Sequence, residues 1–404
     1  MNVAIIGGGA SGMVTAYLLS KKGHRVTVFE KQAMLGGNIR TLNRNVESEN
    51  VGSEHFLECG VLEFSNEFHN FRHLMKELKV ELEPVEIGTA LFLNDGRYFL
   101  SPTMIRKNLS GVGRIKAYVK LARLYASTLR LWLKARFTDT AHLHPQSMAK
   151  FLGASCTRNN WLKLLSMYSY TIPFEQINDM PAEMVIPALR KYMWAGWSRI
   201  KGGTYTYIEK ILELLNGEVF LKSEITRITR NAGGINITHK NGSTQLFDKL
   251  VFATPPDQVL ILLSDPSPEE IKRFSPWQAN QETTVLHTDT ALYTRYGIDH
   301  YSEFDFFQTH KGWGYNASLN RLCGVNSPTQ YSLAFKLDPL IAEELILHKQ
   351  EHHTPLYTVA AFRYRDEVTR NNGENNTYHA GAYLGDGLHE GAITSAIRVA
   401  QFFE

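Results

Sequence analysis

The sequence predicts an α/β fold in which one parallel-sheet domain is assembled from separate stretches of chain and interleaved with a second, α+β lobe. Three observations predict it. The N-terminus runs strand, glycine loop, helix, strand. A β-rich block near residues 203–256 ends in another buried apolar run. The C-terminus offers a strand, a Gly-rich loop and a last helix.

Val3-Ala4-Ile5-Ile6 is short, apolar and β-branched, as a buried parallel strand requires. Gly7, Gly9 and Gly12 follow in the order G-x-G-x-x-G, residues 13–22 carry a helical pattern, and Gly23 closes it. Residues 25–29 form a second strand ending on the acid Glu30. Each residue type has a task. Gly7 permits the tight turn, Gly9 lets backbone approach a pyrophosphate, and Gly12 lets helix pack on strand. The helix N-terminus, reached through Ala10 and Ser11 of the loop, offers unpaired N–H groups to phosphate, and Glu30 can accept from ribose hydroxyls. Strand–loop–helix–strand–acid is the context that makes this motif informative. It predicts a Rossmann-like domain.

The bulk numbers bound the rest. A length of 404 residues exceeds one compact core and suits two domains. A hydrophobic content of 43% is that of an ordinary globular protein. A net charge of +3, without a nucleic-acid module, predicts no nucleic-acid partner. Cys59, Cys156 and Cys323 form no CxxC pair, which argues against a disulfide framework or structural zinc and fits a reducing cytoplasm. His352-His353 lacks a third ligand at metal spacing, so no metal site is expected. Gly7-Gly8-Gly9 interrupts the only early apolar run, and no stretch approaches the roughly 20 apolar residues that span a bilayer.

After Glu30 and Lys31 come Leu35-Gly36-Gly37-Asn38-Ile39-Arg40-Thr41, and further on Phe56-Leu57-Glu58-Cys59-Gly60. Here the sequence resembles the flavin amine oxidoreductase and phytoene-desaturase superfamily, in which the acid is followed by L-G-G-x-x-R/H-T. The stretch Glu58 to Glu67 is similar to a bacterial subgroup associated with cyclopropane-type modification of fatty acyl chains. The resemblance implies non-covalent FAD in a glutathione-reductase-type domain, with a strand carrying Glu58 and Gly60 near the flavin. It places Ile225 along the adenine and Thr254 at the end of the strand over residues 249–256. It sets Gly381, Glu390, Gly391 and Ala392 around the closing helix, whose N-terminus faces the pyrimidine end of the flavin. The superfamily's acid after the first glycine is Ala382 here, and Asp386 is the candidate to compensate. The implied domains are 1–84, 203–262 and 374–404 for FAD, and 85–202 and 263–373 for substrate.

On the substrate side, residues 85–100 read as strand–turn–strand about Asn94-Asp95-Gly96. Residues 103–137 read as helix, with basic residues between 106 and 136, interleaved aromatics and no acid. That pattern suits either peripheral contact with the anionic inner face of a membrane or a solvated helix packed on the domain. Tyr168, Tyr170, Trp194, Trp197, Trp313 and Tyr315 are candidates for an apolar substrate pocket. His287 and Asp289 alternate on an expected strand, which makes them a candidate proton-handling or positioning pair, or a structural hydrogen bond at a sheet edge. Asn320 and Arg321 are further candidates on following strands.

The function expected is FAD-dependent hydride removal from a hydrophobic, acyl or polyene-like substrate. The lobe around Tyr168 and Gly202-Gly203-Thr204 is also similar to polyunsaturated fatty acid isomerases, so double-bond isomerisation stays open. Amine oxidation and a non-catalytic flavin-binding role stay open as well.

Overall fold

A computed structural model describes residues 1–153 and 157–403, so Cys156 lies outside the described residues. Its organising element is a five-stranded parallel sheet. The order is Thr377–His379, Lys249–Phe252, β1 (Asn2–Ile6), β2 (Arg25–Phe29) and Gly217–Phe220. Both faces of the sheet's centre are covered, which is why β1, β2 and Lys249–Phe252 are mostly apolar, while the edge strand Gly217–Phe220 is largely exposed. Ala4, Ile6, Phe29 and Phe252 pack with Ile228, Ile235 and Phe247 of an antiparallel three-stranded sheet. Val3, Ile5, Val28 and Val251 face the other way, onto Met13 and Val14 of α1 (Ala10–Lys21) and Val399 of the closing helix. Alternation along a strand thus feeds two cores at once.

All five strands fall within residues 1–84, 203–262 and 374–404. A seven-stranded sheet draws only on residues 85–202 and 263–373. Its order is Ile346–Pro355, Ala279–His287, Ser332–Phe335, Gly312–Ser318, Phe304–Thr309, Thr89–Phe92 and Tyr98–Leu100. Every pairing is antiparallel except Phe304–Thr309 with Thr89–Phe92. A small fourth sheet (Phe64–Ser65, Trp197–Ile200, Leu82–Val85) joins the two sets of segments. The fold is therefore the interleaved α/β arrangement expected.

Several local expectations are corrected. The helix α1 starts at Ala10 rather than 13, because the cap residue Gly9 is already extended, so Gly12 sits in the first turn. The basic stretch 103–137 is two helices, Pro102–Asn108 and α2 (Gly111–Phe137). The chain is extended at Leu109 and Ser110 and turns through Gly111 at φ +52°. Residues 56–60 are not a strand; a single bridge, Thr41 to Glu58, is all the pairing they make. The strand Ala279–His287 ends at a register shift, so Asp289 lies beyond it, and Asn320 and Arg321 sit on the short helix Leu319–Leu322.

The closing helix α3 (His389–Gln401) packs on α1 and is tied to the helix His69–Glu77 by side chains, among them Asn70 Nδ2 donating to Thr394 Oγ1 at 2.9 Å. The Glu390 carboxylate accepts from the N–H groups of Asn70 (2.9 Å) and Phe71 (3.0 Å), two donors that the start of a helix leaves open. Glu390→Ala orphans both in a buried place. It should cost about 2 kcal/mol, read as a lowered urea midpoint with unchanged m-value.

Candidate functional site

The turn after β1 can be made only by glycine. Gly7 has φ +106°, and a Cβ there would lie 2.7 Å from the Ala253 carbonyl oxygen. A Cβ on Gly12 would lie 1.9 Å from the Gly7 oxygen, so strand and helix could not approach as they do. The Gly36-Gly37 loop comes alongside, with Gly36 N–H donating to Gly8 O at 2.8 Å. Gly9 and Gly37 face each other through backbone alone. Glu30 braces this arrangement, accepting from Gly8 N–H (2.8 Å) and Gln32 N–H (2.9 Å), and it also faces the opening.

That opening is one end of a cavity of about 1570 Å³. Single small-ligand pockets run to roughly 1,000 Å³, so there is room for a dinucleotide and a substrate together. Gly7, Gly9, Ala10, Ser11, Glu30, Lys31, Gly36, Gly37, Asn38, Ile225 and Thr254 line the dinucleotide end. FAD fits the chemistry on the wall. Gly9 gives the first turn of α1 no side-chain cap, which leaves N–H groups for phosphate. The Thr254 and Ser223 hydroxyls are buried on the wall without a protein partner, and the Glu30 carboxylate faces the ribose position.

Gly60, Gly381 and Ala392 continue the wall toward the other lobe, whereas Gly12, Arg40, Thr41 and Glu58 stand behind it. The buried Arg40 guanidinium donates to the carbonyls of Leu35 (3.3 Å) and Ile39 (3.1 Å) and to Gln32, so it shapes the loop. The Glu58 carboxylate accepts from Thr41 Oγ1 (2.9 Å) and Thr204 N–H (2.6 Å), stapling residues 41 and 204 together. Burial lifts its pKa to about 7. Glu390 and Gly391 also lie off the wall. Asp386 does not replace an acid at Ala382: its carboxylate accepts from Leu388 and Gly391 N–H, both at 3.0 Å, and from the Tyr192 hydroxyl at 2.6 Å. It caps α3. His389 approaches Tyr207 Oη at 3.0 Å, and burial lowers its pKa to about 3, so it is a neutral ring on the wall.

The far end of the cavity is an apolar chamber lined by Trp161, Leu165, Tyr168, Tyr170, Val185, Leu189, Phe304 and Tyr315. Trp194 and Trp197 also line it, while Trp313 lies off it against Phe174. His287 and Asp289 do not reach it. The His287 ring contacts Asn316 Oδ1 (2.9 Å) and accepts from Asp289 N–H (3.1 Å), and Asp289 accepts from Ala291 and Ala342 N–H (2.8 and 2.9 Å). These are bonds that hold a strand end in place. One ionisable group that does face the chamber is Glu63, which the sequence did not single out. Tyr168 donates to its two oxygens at 2.9 and 3.0 Å, and burial raises its pKa to about 7. His352 is nearby on the wall, its Nε2 2.8 Å from the Thr284 hydroxyl, with its pKa pushed down to about 4 by burial. Glu63 stands in the family-like stretch after Gly60, but that stretch is irregular, so no strand or helix period reveals where its side chain points.

Gly9 offers a selective test of the dinucleotide end. A Cβ there would meet only Gly37 Cα at 3.7 Å, an ordinary contact, yet it would enter the phosphate opening. Gly9→Ala should fold as the parent does while holding FAD at least about tenfold more weakly, measured as bound flavin absorbance per protein during dilution.

Comparison with known proteins agrees with this geometry. The family described as flavin containing amine oxidoreductase matches residues 10–288, more than half of the chain. An L-amino-acid oxidase of Siganus canaliculatus is 23% identical over 270 residues, covering 63% of this chain and 49% of that protein. A 4,4'-diapophytoene desaturase of Staphylococcus aureus (strain Newman) is 24% identical over 324 residues, covering 68% and 59%. The chain thus spans about half the length of the curated relatives it matches. Among solved structures, the CLA-producing fatty acid isomerase from P. acnes has the same fold, with a TM-score of 0.67, 16% identity and coverage of 100% of this chain and 98% of that one. The glycine cradle with its acid, the resemblance over Gly36–Thr41 and the family match agree, and the chain belongs to the flavin-containing amine oxidoreductase family, with FAD as its cofactor.

Proposed function

We propose that this chain is an FAD-dependent oxidoreductase that desaturates or otherwise oxidises a hydrophobic, acyl- or polyene-like substrate. One observation carries the reading: the dinucleotide cradle opens without interruption into an aromatic and aliphatic chamber that holds a single buried carboxylate–tyrosine pair, Glu63 and Tyr168. Bound FAD supplies a two-electron acceptor. The chain's own residues do the rest. Apolar walls align an extended hydrocarbon and exclude water, which is most of what hydride removal needs. Making a C=C bond from C–C also releases a proton from the neighbouring carbon. The Glu63 carboxylate receives that proton, and the Tyr168 hydroxyl, stacked on Phe304 at 4.1 Å, holds it in place. A group that titrates near neutrality is suited to this work.

The same carboxylate suits an ammonium group, which makes amines the competing substrate class. Anaerobic mixing of the holoprotein with unsaturated acyl lipids and with amines separates them by which class bleaches the flavin. Bleaching by amines alone would sink the acyl reading. An isomerised lipid formed with no net consumption of an electron acceptor would assign the isomerase reading instead.

Two outcomes follow for Glu63. As the base it must be ionised, so kcat/KM should rise with pH across about 6 to 8 and level off above. Glu63→Gln should lower kcat at least about a hundredfold, flatten that rise and leave flavin content unchanged, as steady-state profiles and absorbance spectra would show.

A further inference from the structure

The strongest surface feature outside the cofactor and substrate sites is α2. One side of it is anchored: Leu121, Thr128 and Ala135 are buried. The remainder divides into two arcs. At about 100° per residue, Val112, Ile115, Val119, Leu133 and Phe137 gather on one side, and each is between 46% and 77% exposed. Lys116, Arg123 and Arg130 run along the flank of that stripe. Among the described residues they make no salt bridge, and residues 103–137 contain no acid at all.

An apolar stripe left in water normally has a partner. Three properties say which partner this one has. The flank is cationic and unpaired, so the partner is anionic. The stripe runs the length of a 27-residue helix without a groove, so the partner is extended and yielding. Finally, the stripe borders the mouth of the chamber: Tyr125, Leu129 and Trp132 of α2 line the cavity, as does Trp194, which is 77% exposed and packs on Trp132 at 5.9 Å. No helix among the described residues is long and apolar enough to cross a membrane.

We propose that α2 and Trp194 dock on the surface of an anionic phospholipid bilayer. The apolar arc enters the headgroup–acyl boundary, the cations meet lipid phosphates, and Trp194 sits at the interface, where indole rings are favoured. An acyl substrate then passes from the bilayer into the chamber beside Leu129. The direction of that passage rests on the function proposed above, but the docking does not.

The test is co-sedimentation of the full-length holoprotein with vesicles of phosphatidylcholine alone and of phosphatidylcholine with phosphatidylglycerol. Binding is expected only to the anionic vesicles, and it should fall with added salt. The triple substitution Lys116→Gln, Arg123→Gln, Arg130→Gln should weaken it roughly a hundredfold. Ile115→Glu with Leu133→Glu should abolish it. Both variants should keep the flavin content and melting temperature of the parent. If the parent stays in the supernatant with anionic vesicles at low salt, or if either variant binds as the parent does, the proposal is overturned. A parent that does not sediment but is a dimer, and that Ile115→Glu with Leu133→Glu makes monomeric, assigns the face to a second copy and overturns it too. Failure of every acyl substrate to bleach the flavin, with vesicle binding intact, would remove the substrate reading alone.

Discussion

The approach of α1 to the end of β1, across the gap between Gly12 and the Gly7 carbonyl, is the constraint on which the rest depends. A single methyl group at Gly12 would sit 1.9 Å from that oxygen. Because it is absent, the helix start is brought beside the sheet edge, and the Gly36-Gly37 loop can lie against Gly8 and Gly9. Where Gly9 faces Gly37 the resulting slot is walled by backbone, with N–H donors at the start of α1. Oriented backbone dipoles in such a slot bind phosphate without needing a charged residue.

What surrounds the slot is mostly bracing. Glu30, Glu58, Glu390 and Asp386 are acids that sequence reasoning placed at the cofactor, and all four hold backbone N–H groups. Of the four, only Glu30 also faces the cavity. A buried carboxylate accepting two N–H bonds fixes loop positions more rigidly than turns alone can. The cavity wall is therefore stiff at the flavin end. At the substrate end it is made largely of side chains, several of them on helices, such as Tyr168 and Val185.

The arrangement also explains why the two lobes interleave. Two strands of the parallel sheet, Gly217–Phe220 and Thr377–His379, return to it after the excursions 85–202 and 263–373, and both excursions contribute walls to the chamber. The strand Trp197–Ile200 stitches one such return, pairing with Phe64–Ser65 on one side and Leu82–Val85 on the other. Trp197 and the Gly60–Glu63 segment are thereby held on one wall, close to where the flavin end must lie.

Local sequence determined the cofactor half of this protein. Glycine spacing, apolar runs and the terminal acid Glu30 act through contacts between near neighbours in the chain, and backbone sterics leave little choice there. The strand–turn–strand at residues 85–100 and the cationic character of residues 103–137 were legible for the same reason. Tertiary structure decided the chemistry of the other half. Glu63 meets Tyr168 across 105 positions of chain, in a segment with no period to show where its side chain points. Conversely, His287 and Asp289 are joined, but by a structural hydrogen bond at the strand end and away from the cavity, because the strand stops at His287. The charge a buried carboxyl carries depends on what is packed around it, and that packing is set by segments far apart in the chain.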